Sequence, residues 1–199
     1  MTPQSYEKGV TAHELSLSKW EGGVRARRLE IIPEAEIQAM IDVDLVVPIL
    51  LTMSALPALR SSGDAMVENI ASGIALIGAP FYKTYAAVKA GLARFGEALR
   101  RELKGEGIHV LAGYPCGTDT PVMKSNRAGS EPGFCRGPAS AGAHAILEGI
   151  ATGAFEVIRG GVARALTIAL NRDNRSAVDD RFLRLKASLE DAMKNHFAL

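Results

Sequence analysis

A stretch near the middle of the chain predicts a strand, a long helix and a second strand. Residues 65–72 (AMVENIAS) form a short apolar run after a turn, which is typical of a buried strand. Residues 82–104 place Val88, Leu92, Phe95, Leu99 and Leu103 at helical spacing and end before Gly105. Residues 108–114 (IHVLAGY) form the next apolar run. This order predicts a right-handed βαβ unit, whose two strands lie parallel in one sheet.

The elements around this unit extend the same architecture. A helix is expected from Pro33 to about residue 59, buried over most of its length because it is apolar almost all round from Leu45. Pro48 lies inside it, so it should kink the helix and free the backbone carbonyl of Asp44. A long loop over 115–137 should precede further elements, which we predict as a helix at 139–149, a strand at 154–160, and helices at 161–170 and 176–196.

These elements define the expected fold class and domain organisation. We predict an α/β protein with a partial Rossmann-like parallel sheet of about three strands, flanked by helices and followed by a helical C-terminal extension. Residues 1–30 are expected to be poorly structured or remodelled, apart from a short strand at 24–32, and residues 31–199 to form a single domain. The strand at 65–72 would then be a sheet edge, so we expect a second copy or residues 24–32 to cover it.

Three polar residues sit on the βαβ unit at a suggestive spacing. Tyr85 and Lys89 are four residues apart on the predicted helix and therefore share one face. An ammonium group near a phenol lowers the phenol's pKa, so Tyr85 could exchange a proton near neutral pH. Ser72, at the end of the first strand, could hydrogen-bond an oxygen that gains charge during a reaction.

From Ile41 to Met123 the chain resembles the short-chain dehydrogenases/reductases. The resemblance depends on a serine thirteen residues before the tyrosine of a YxxxK motif, and on the turn GYPCGTDTPVM after the next strand. It implies that Tyr85 is the catalytic acid/base, that Lys89 lowers its pKa and binds the nicotinamide ribose, and that Ser72 orients the substrate oxygen. It further implies that Pro115 opens a turn in which Thr120 contacts the nicotinamide of NAD or NADP.

Two residues depart from the family pattern. Asp44 replaces the usual asparagine, whose main-chain carbonyl holds a water in the proton relay to the lysine; we expect Asp44 to keep that catalytic role through the carbonyl that Pro48 frees. Cys116 replaces the glycine that usually follows the proline, so its side chain should crowd the cofactor or shift the turn.

The glycine-rich turn that holds the cofactor pyrophosphate in this family has no counterpart in the sequence, nor does the NNAG-like segment after the fourth strand. The chain therefore resembles an N-terminally truncated member, either natural or a gene-model artefact, and cofactor binding is in doubt. Without that part of the fold, the sequence does not distinguish NAD from NADP or identify the substrate.

Composition excludes other classes of function. A net charge of +1 argues against a nucleic-acid partner, and the longest apolar run, residues 45–51, is too short to span a bilayer. The four histidines lack a metal-ligand spacing, so no metal site is predicted. Cys116 and Cys135 form neither a CxxC pair nor a disulfide framework, which favours reduced cysteines and a cytoplasmic location.

Two functional hypotheses remain open. The first is an NAD(P)-dependent oxidoreductase acting on a small ketone or secondary alcohol, with Tyr85 handling the proton. The second is an inactive relative that serves as a dimerisation or interaction module. In either case the resemblance implies a homodimer or homotetramer, paired through the helices 33–59 and 82–104.

Overall fold

A computed structural model describes residues 15–19, 22–119 and 136–194, together with the backbone of 197–198. Its strands are β1 Leu15–Lys19, β2 Val24–Arg25, β3 Ala65–Ile70, β4 Ile108–Tyr114, β5 Gly117–Asp119, β6 Arg136–Pro138, β7 Glu156–Ile158 and β8 Phe197–Ala198. Its α-helices are α1 Glu34–Ile41, α2 Val47–Ser62, α3 Lys83–Glu102, α4 Ala139–Ala151, α5 Gly161–Asp173 and α6 Arg175–Met193.

The central sheet has the order β1-β3-β4-β7, and all of its strands are parallel. This confirms the Rossmann-like α/β class, with one strand more than the three expected. Leu59 of α2 and Leu99 of α3 pack with Val67 and Val110 of the sheet to form its main apolar core. On the other sheet face, Ile146 of α4 packs with strand residues.

The edge beside β3 is covered by the N-terminal part of the chain. Residues 15–19 pair in parallel with residues 65–69, from Leu15 opposite Ala65 to Lys19 opposite Asn69. Of the two alternatives for residues 1–30, poorly structured or remodelled, residues 15–19 do not fit the first. The strand that covers β3 is formed by these residues and not by residues 24–32. The alternation in LSLSK suits a strand because it places apolar side chains on one sheet face.

The long helix contains a wider turn next to its proline. Between α1 and α2, residues Asp42–Val46 form a π-helical turn, and the Val47 N–H bonds the Asp42 carbonyl five residues back. Pro48 follows at the start of α2 and has no N–H to offer the Asp44 carbonyl. The expected kink is thus a change of helical pitch, and it turns the buried Asp44 side chain inward.

The expectation that this helix is mostly buried was wrong. Six apolar residues of the π turn and α2 are 37–60% exposed: Val43, Val46, Val47, Leu50, Leu51 and Met53. The whole run Glu34–Ser62 also has the length and composition of a membrane span, with a mean hydropathy of 1.9 and 22% of the apolar window buried. Core helices of soluble proteins meet the same criterion, so this composition alone is weak evidence for a membrane span. The helical run is nevertheless longer than the apolar segment 45–51.

Candidate active site

A cavity of about 380 Å³ opens where the parallel strands end, and four of the predicted residues line it: Ser72, Tyr85, Lys89 and Pro115. Ser72 follows β3 and Pro115 follows β4, so the carboxyl ends of adjacent strands bring them together. Asp44 lies behind Lys89, and Thr120 falls outside the described residues.

Ser72 is held by a short turn at the end of β3. Its Oγ accepts a hydrogen bond from the Ile74 N–H at 3.4 Å, which begins the 3-10 turn Gly73–Ala75. The Gly73 N–H donates to the Pro115 carbonyl at 2.8 Å and ties the two strand ends together. The Ser72 hydroxyl also lies near the Tyr85 phenol, where its polarity acts to lower the phenol's pKa. The structure therefore brings these two side chains to the same cavity.

Tyr85 lies in the first turn of α3, which begins after an unusual backbone conformation. Phe81 has φ of 71°, a left-handed value that is uncommon for a bulky residue. Its ring is buried with Val24 and Leu189, and its carbonyl accepts a hydrogen bond from the Arg27 N–H at 3.1 Å. These contacts hold the start of α3 and so position Tyr85 in the cavity wall.

Lys89 forms a buried ion pair with Asp44. Lys89 Nζ lies 3.0 Å from Asp44 Oδ1, and the two side chains are 4% and 0% exposed. Burial raises the pKa of the Asp44 carboxyl, while Lys89 and the Gly23 N–H act in the opposite direction. Asp44, which stands where the family usually has asparagine, therefore partly neutralises the charge of Lys89.

The expected lowering of the Tyr85 pKa was wrong in direction. Loss of hydration around the phenol raises its pKa, the negative charge of Asp44 raises it further, and the nearby Ser72 hydroxyl only partly opposes them. Lys89 Nζ lies 5.7 Å from the centre of the Tyr85 ring, and its charge is shared with Asp44. Tyr85 is consequently protonated at neutral pH.

Gly22 is a site residue that none of the sequence motifs indicates. It follows β1, the strand that pairs with β3. A Cβ on Gly22 would lie 2.4 Å from Asp44 Oδ1 and 2.9 Å from Lys89 Nζ, so a side chain does not fit there. The sequence signal for this position was the alternation of apolar and polar residues over 15–19, followed by Gly22 and Gly23.

Cys116 differs from the expectation of reduced cysteines, because it is disulfide-bonded. It is 8% exposed and lines the cavity beside Pro115. Its carbonyl accepts a hydrogen bond from the Thr118 hydroxyl at 2.9 Å. Cys135 lies outside the described residues. Within the described ranges, no three His, Cys, Asp or Glu residues are grouped so that they could hold a metal ion.

A parallel α/β sheet with a Ser–Tyr–Lys cavity at the carboxyl ends of its strands is typical of a short chain dehydrogenase. The family model of the short chain dehydrogenases matches residues 21–131, more than half of the chain. The chain belongs to the short chain dehydrogenase family.

Two curated relatives show the extent of the similarity. A 3-amino-tetrahydro-pyrrolizinone reductase of Xenorhabdus hominickii is 32% identical over 94 residues, which are 47% of this chain and 32% of the relative. The ketoacyl reductase HetN of a Nostoc species is 36% identical over 102 residues, 48% of this chain and 36% of the relative. The chain thus matches about a third of the length of these relatives.

The fold is also that of solved short chain dehydrogenases. The structure of such an enzyme from Burkholderia cenocepacia, in complex with NADP, superposes with a TM-score of 0.72. The superposition covers 85% of this chain and 68% of that chain at 23% sequence identity. At this identity the likeness shows the fold alone.

Proposed function

We propose that the chain is an NAD(P)-dependent oxidoreductase that interconverts a ketone and a secondary alcohol. The observation that carries the proposal is that Ser72, Tyr85 and Lys89 line one cavity at the carboxyl ends of the parallel strands. Family membership supports it, and two relatives are named as reductases, one of them a ketoacyl reductase.

The raised pKa of Tyr85 favours the reductive direction at neutral pH. A protonated phenol can give its proton to a carbonyl oxygen as that oxygen gains charge. The Ser72 hydroxyl, which lines the same cavity, donates a hydrogen bond to the same oxygen and stabilises its charge. In the oxidative direction Tyr85 must first lose its proton, so alcohol oxidation is expected to require alkaline pH.

Several residues that line the cavity fit a nicotinamide and its ribose, although no pyrophosphate-binding turn is found among the described residues. Gly22 has no side chain that could occupy the cavity, which Lys89, Tyr85 and Pro115 also line. When bound, the nicotinamide supplies the hydride that adds to the carbonyl carbon. Lys89 and Pro115 would hold its ribose and amide ends, while Tyr85 supplies the proton.

A nucleotide titration combined with a turnover assay tests this function. We expect NADPH or NADH to bind the purified chain, measured by nicotinamide fluorescence, and a ketone to be reduced. Tyr85→Phe should abolish reduction while retaining nucleotide binding. Tyr114→Phe is the matched control, because its hydroxyl contacts Glu156 at 3.2 Å and does not line the cavity. Failure of both nucleotides to bind would contradict the proposal.

We also propose that two copies pair through the exposed apolar face of α2. Leu50, Leu51 and Met53 are 48%, 48% and 60% exposed, and such a contiguous apolar surface is costly in water. A homodimer or homotetramer would bury it. Leu50→Glu should therefore shift the sedimentation profile towards monomer, whereas Leu183→Glu on α6 (68% exposed) should not. A wild-type monomer at micromolar concentration would contradict the proposal, and binding to vesicles would point to a membrane instead.

A further inference from the structure

Three arginines from the C-terminal part of the chain line the same cavity as Ser72 and Tyr85: Arg159, Arg164 and Arg181. Arg159 follows β7, Arg164 lies on α5 and Arg181 lies on α6. Three separate elements therefore bring guanidinium groups to one cavity. Neither the YxxxK pattern nor the family match to residues 21–131 accounts for them.

None of these arginines pairs with a carboxylate in the described part of the chain. Arg164 Nη1 donates to the Gly73 carbonyl at 3.1 Å, and Arg181 Nη1 donates to Thr167 Oγ1 at 3.2 Å. Arg159 Nη1 is buried and meets no acceptor among the described residues. By contrast, ion pairs with carboxylates are made by Arg25, Arg27, Arg28, Arg60, Arg94, Arg101 and Arg136.

Burial without a counter-charge is unfavourable for a guanidinium group, and it lowers the pKa of Arg164 from its ordinary value. Buried charges in proteins are normally paired. A cavity lined by three half-buried guanidinium groups, with no carboxylate among the described residues that line it, is suited to an anion that arrives with a ligand.

The position of Arg164 indicates which ligand carries the anion. A Cβ on Gly73 would lie 2.6 Å from Arg164 Nη1, so this guanidinium lies against the residue that follows Ser72. Ser72 is the group that would orient the substrate oxygen. Gly22 and Lys89 border the part of the cavity assigned to the nicotinamide ribose. Apolar side chains, including Ile74, Phe182 and Leu185, complete the lining.

We propose that the substrate is a carbonyl compound with an apolar body and an acidic group, and that Arg159, Arg164 and Arg181 bind this group. The substrate assignment rests on the proposed function, whereas anion binding by the three arginines does not. The anion is a carboxylate or phosphate of the substrate, and the test distinguishes it from a phosphate of the nucleotide.

The test compares a medium-chain oxo-fatty acid with its methyl ester by isothermal titration calorimetry. The two probes share the ketone and the chain and differ only in charge. We expect the acid to bind about ten-fold more tightly or better, with an affinity that falls as salt rises. Equal affinities for acid and ester would overturn the proposal.

Variants then locate the anion. Arg159→Met and Arg164→Met should each weaken acid binding about ten-fold and leave ester binding unchanged. Arg164→Lys should recover part of the loss, which separates charge from folding. Arg184→Met, at an exposed position on α6 outside the cavity, should have no effect. If the cavity variants leave acid binding unchanged, the proposal is wrong.

Titration of the same variants with NADPH and NADH completes the experiment. Weaker nucleotide binding with unchanged acid binding would assign the arginines to a cofactor phosphate and overturn the substrate assignment. Arginine-dependent acid binding in a chain that binds no nucleotide would uphold the anion site and refute the oxidoreductase proposal. Reduction of acid and ester with equal kcat/KM in wild type and variants would uphold the oxidoreductase proposal and refute the anion site.

Discussion

Replacing Asp44 with asparagine should lower the pKa of Tyr85. The substitution removes a buried negative charge but keeps an oxygen that can accept a hydrogen bond from Lys89, whose Nζ lies 3.0 Å from the present carboxylate. Asp44 raises the Tyr85 pKa directly, and it also offsets the positive charge of Lys89. Both effects disappear together in Asp44→Asn.

The size of the shift follows from the distance between Lys89 and the phenol ring. At 5.7 Å, a full positive charge acting through an effective dielectric constant of about 20 favours the phenolate by about 3 kcal/mol, or two pKa units. Since Asp44 offsets part of this interaction in the wild type, we expect Asp44→Asn to lower the Tyr85 pKa by about one to two units.

Tyrosinate absorbance, recorded as a difference spectrum against the corresponding Tyr85→Phe protein, measures this shift. Circular dichroism defines the pH range in which each protein stays folded. Asp42→Asn is the matched control, because Asp42 is exposed on the same helical run and bonds Gln38 at 2.8 Å rather than Lys89. An unchanged or raised Tyr85 pKa in Asp44→Asn would refute the assignment of Asp44 as the residue that offsets Lys89.

The remaining predictions concern stability, measured by urea unfolding. Gly22→Ala should cost about 1–3 kcal/mol because its Cβ would lie 2.4 Å from Asp44 Oδ1, whereas Gly78→Ala, with open space around the Cβ, should be nearly neutral; equal losses would refute the steric argument. Burial lowers the pKa of Lys19 to about 8, so wild-type stability should rise between about pH 8 and 10, where the unfolded chain binds the extra proton. Lys19→Met should lack this rise, and its free energy of unfolding at pH 7 should exceed that of wild type by about 1–2 kcal/mol. A lower free energy of unfolding at pH 7 would show that the charged amine is needed. The raised pKa of Tyr85 contributes stability that is fully present below pH 10 and lost above it, so Tyr85→Phe should be less sensitive to alkali than wild type; parallel alkaline losses would contradict this.

Tertiary contacts explain why the sequence analysis erred on the Tyr85 pKa. The spacing of Tyr85 and Lys89 places both on one face of α3, and that much is local geometry. The sign of the pKa shift depends on hydration and on Asp44, which reaches Lys89 from a different helix. The helix period contains no information on which carboxylate lies opposite.

The N-terminal strand and the exposed face of α2 also depend on tertiary contacts that local sequence patterns do not indicate. Residues 15–19 make a short strand that is stabilised by pairing with β3 rather than by its own composition, so its existence depends on a partner distant in sequence. The apolar character of α2 is evident from the sequence, but burial depends on what packs against it, and the described residues leave Leu50 and Met53 exposed.

The sequence by itself determined the βαβ unit over residues 65–114, the Ser72–Tyr85–Lys89 spacing and the family. These features are local, because strand and helix periodicities are set by residues a few positions apart. Only the tertiary structure decided that Asp44 neutralises Lys89, that Gly22 closes over this pair and that Arg159, Arg164 and Arg181 meet in the cavity. Those arrangements depend on how separate elements pack, and packing brings together charges that no local pattern connects.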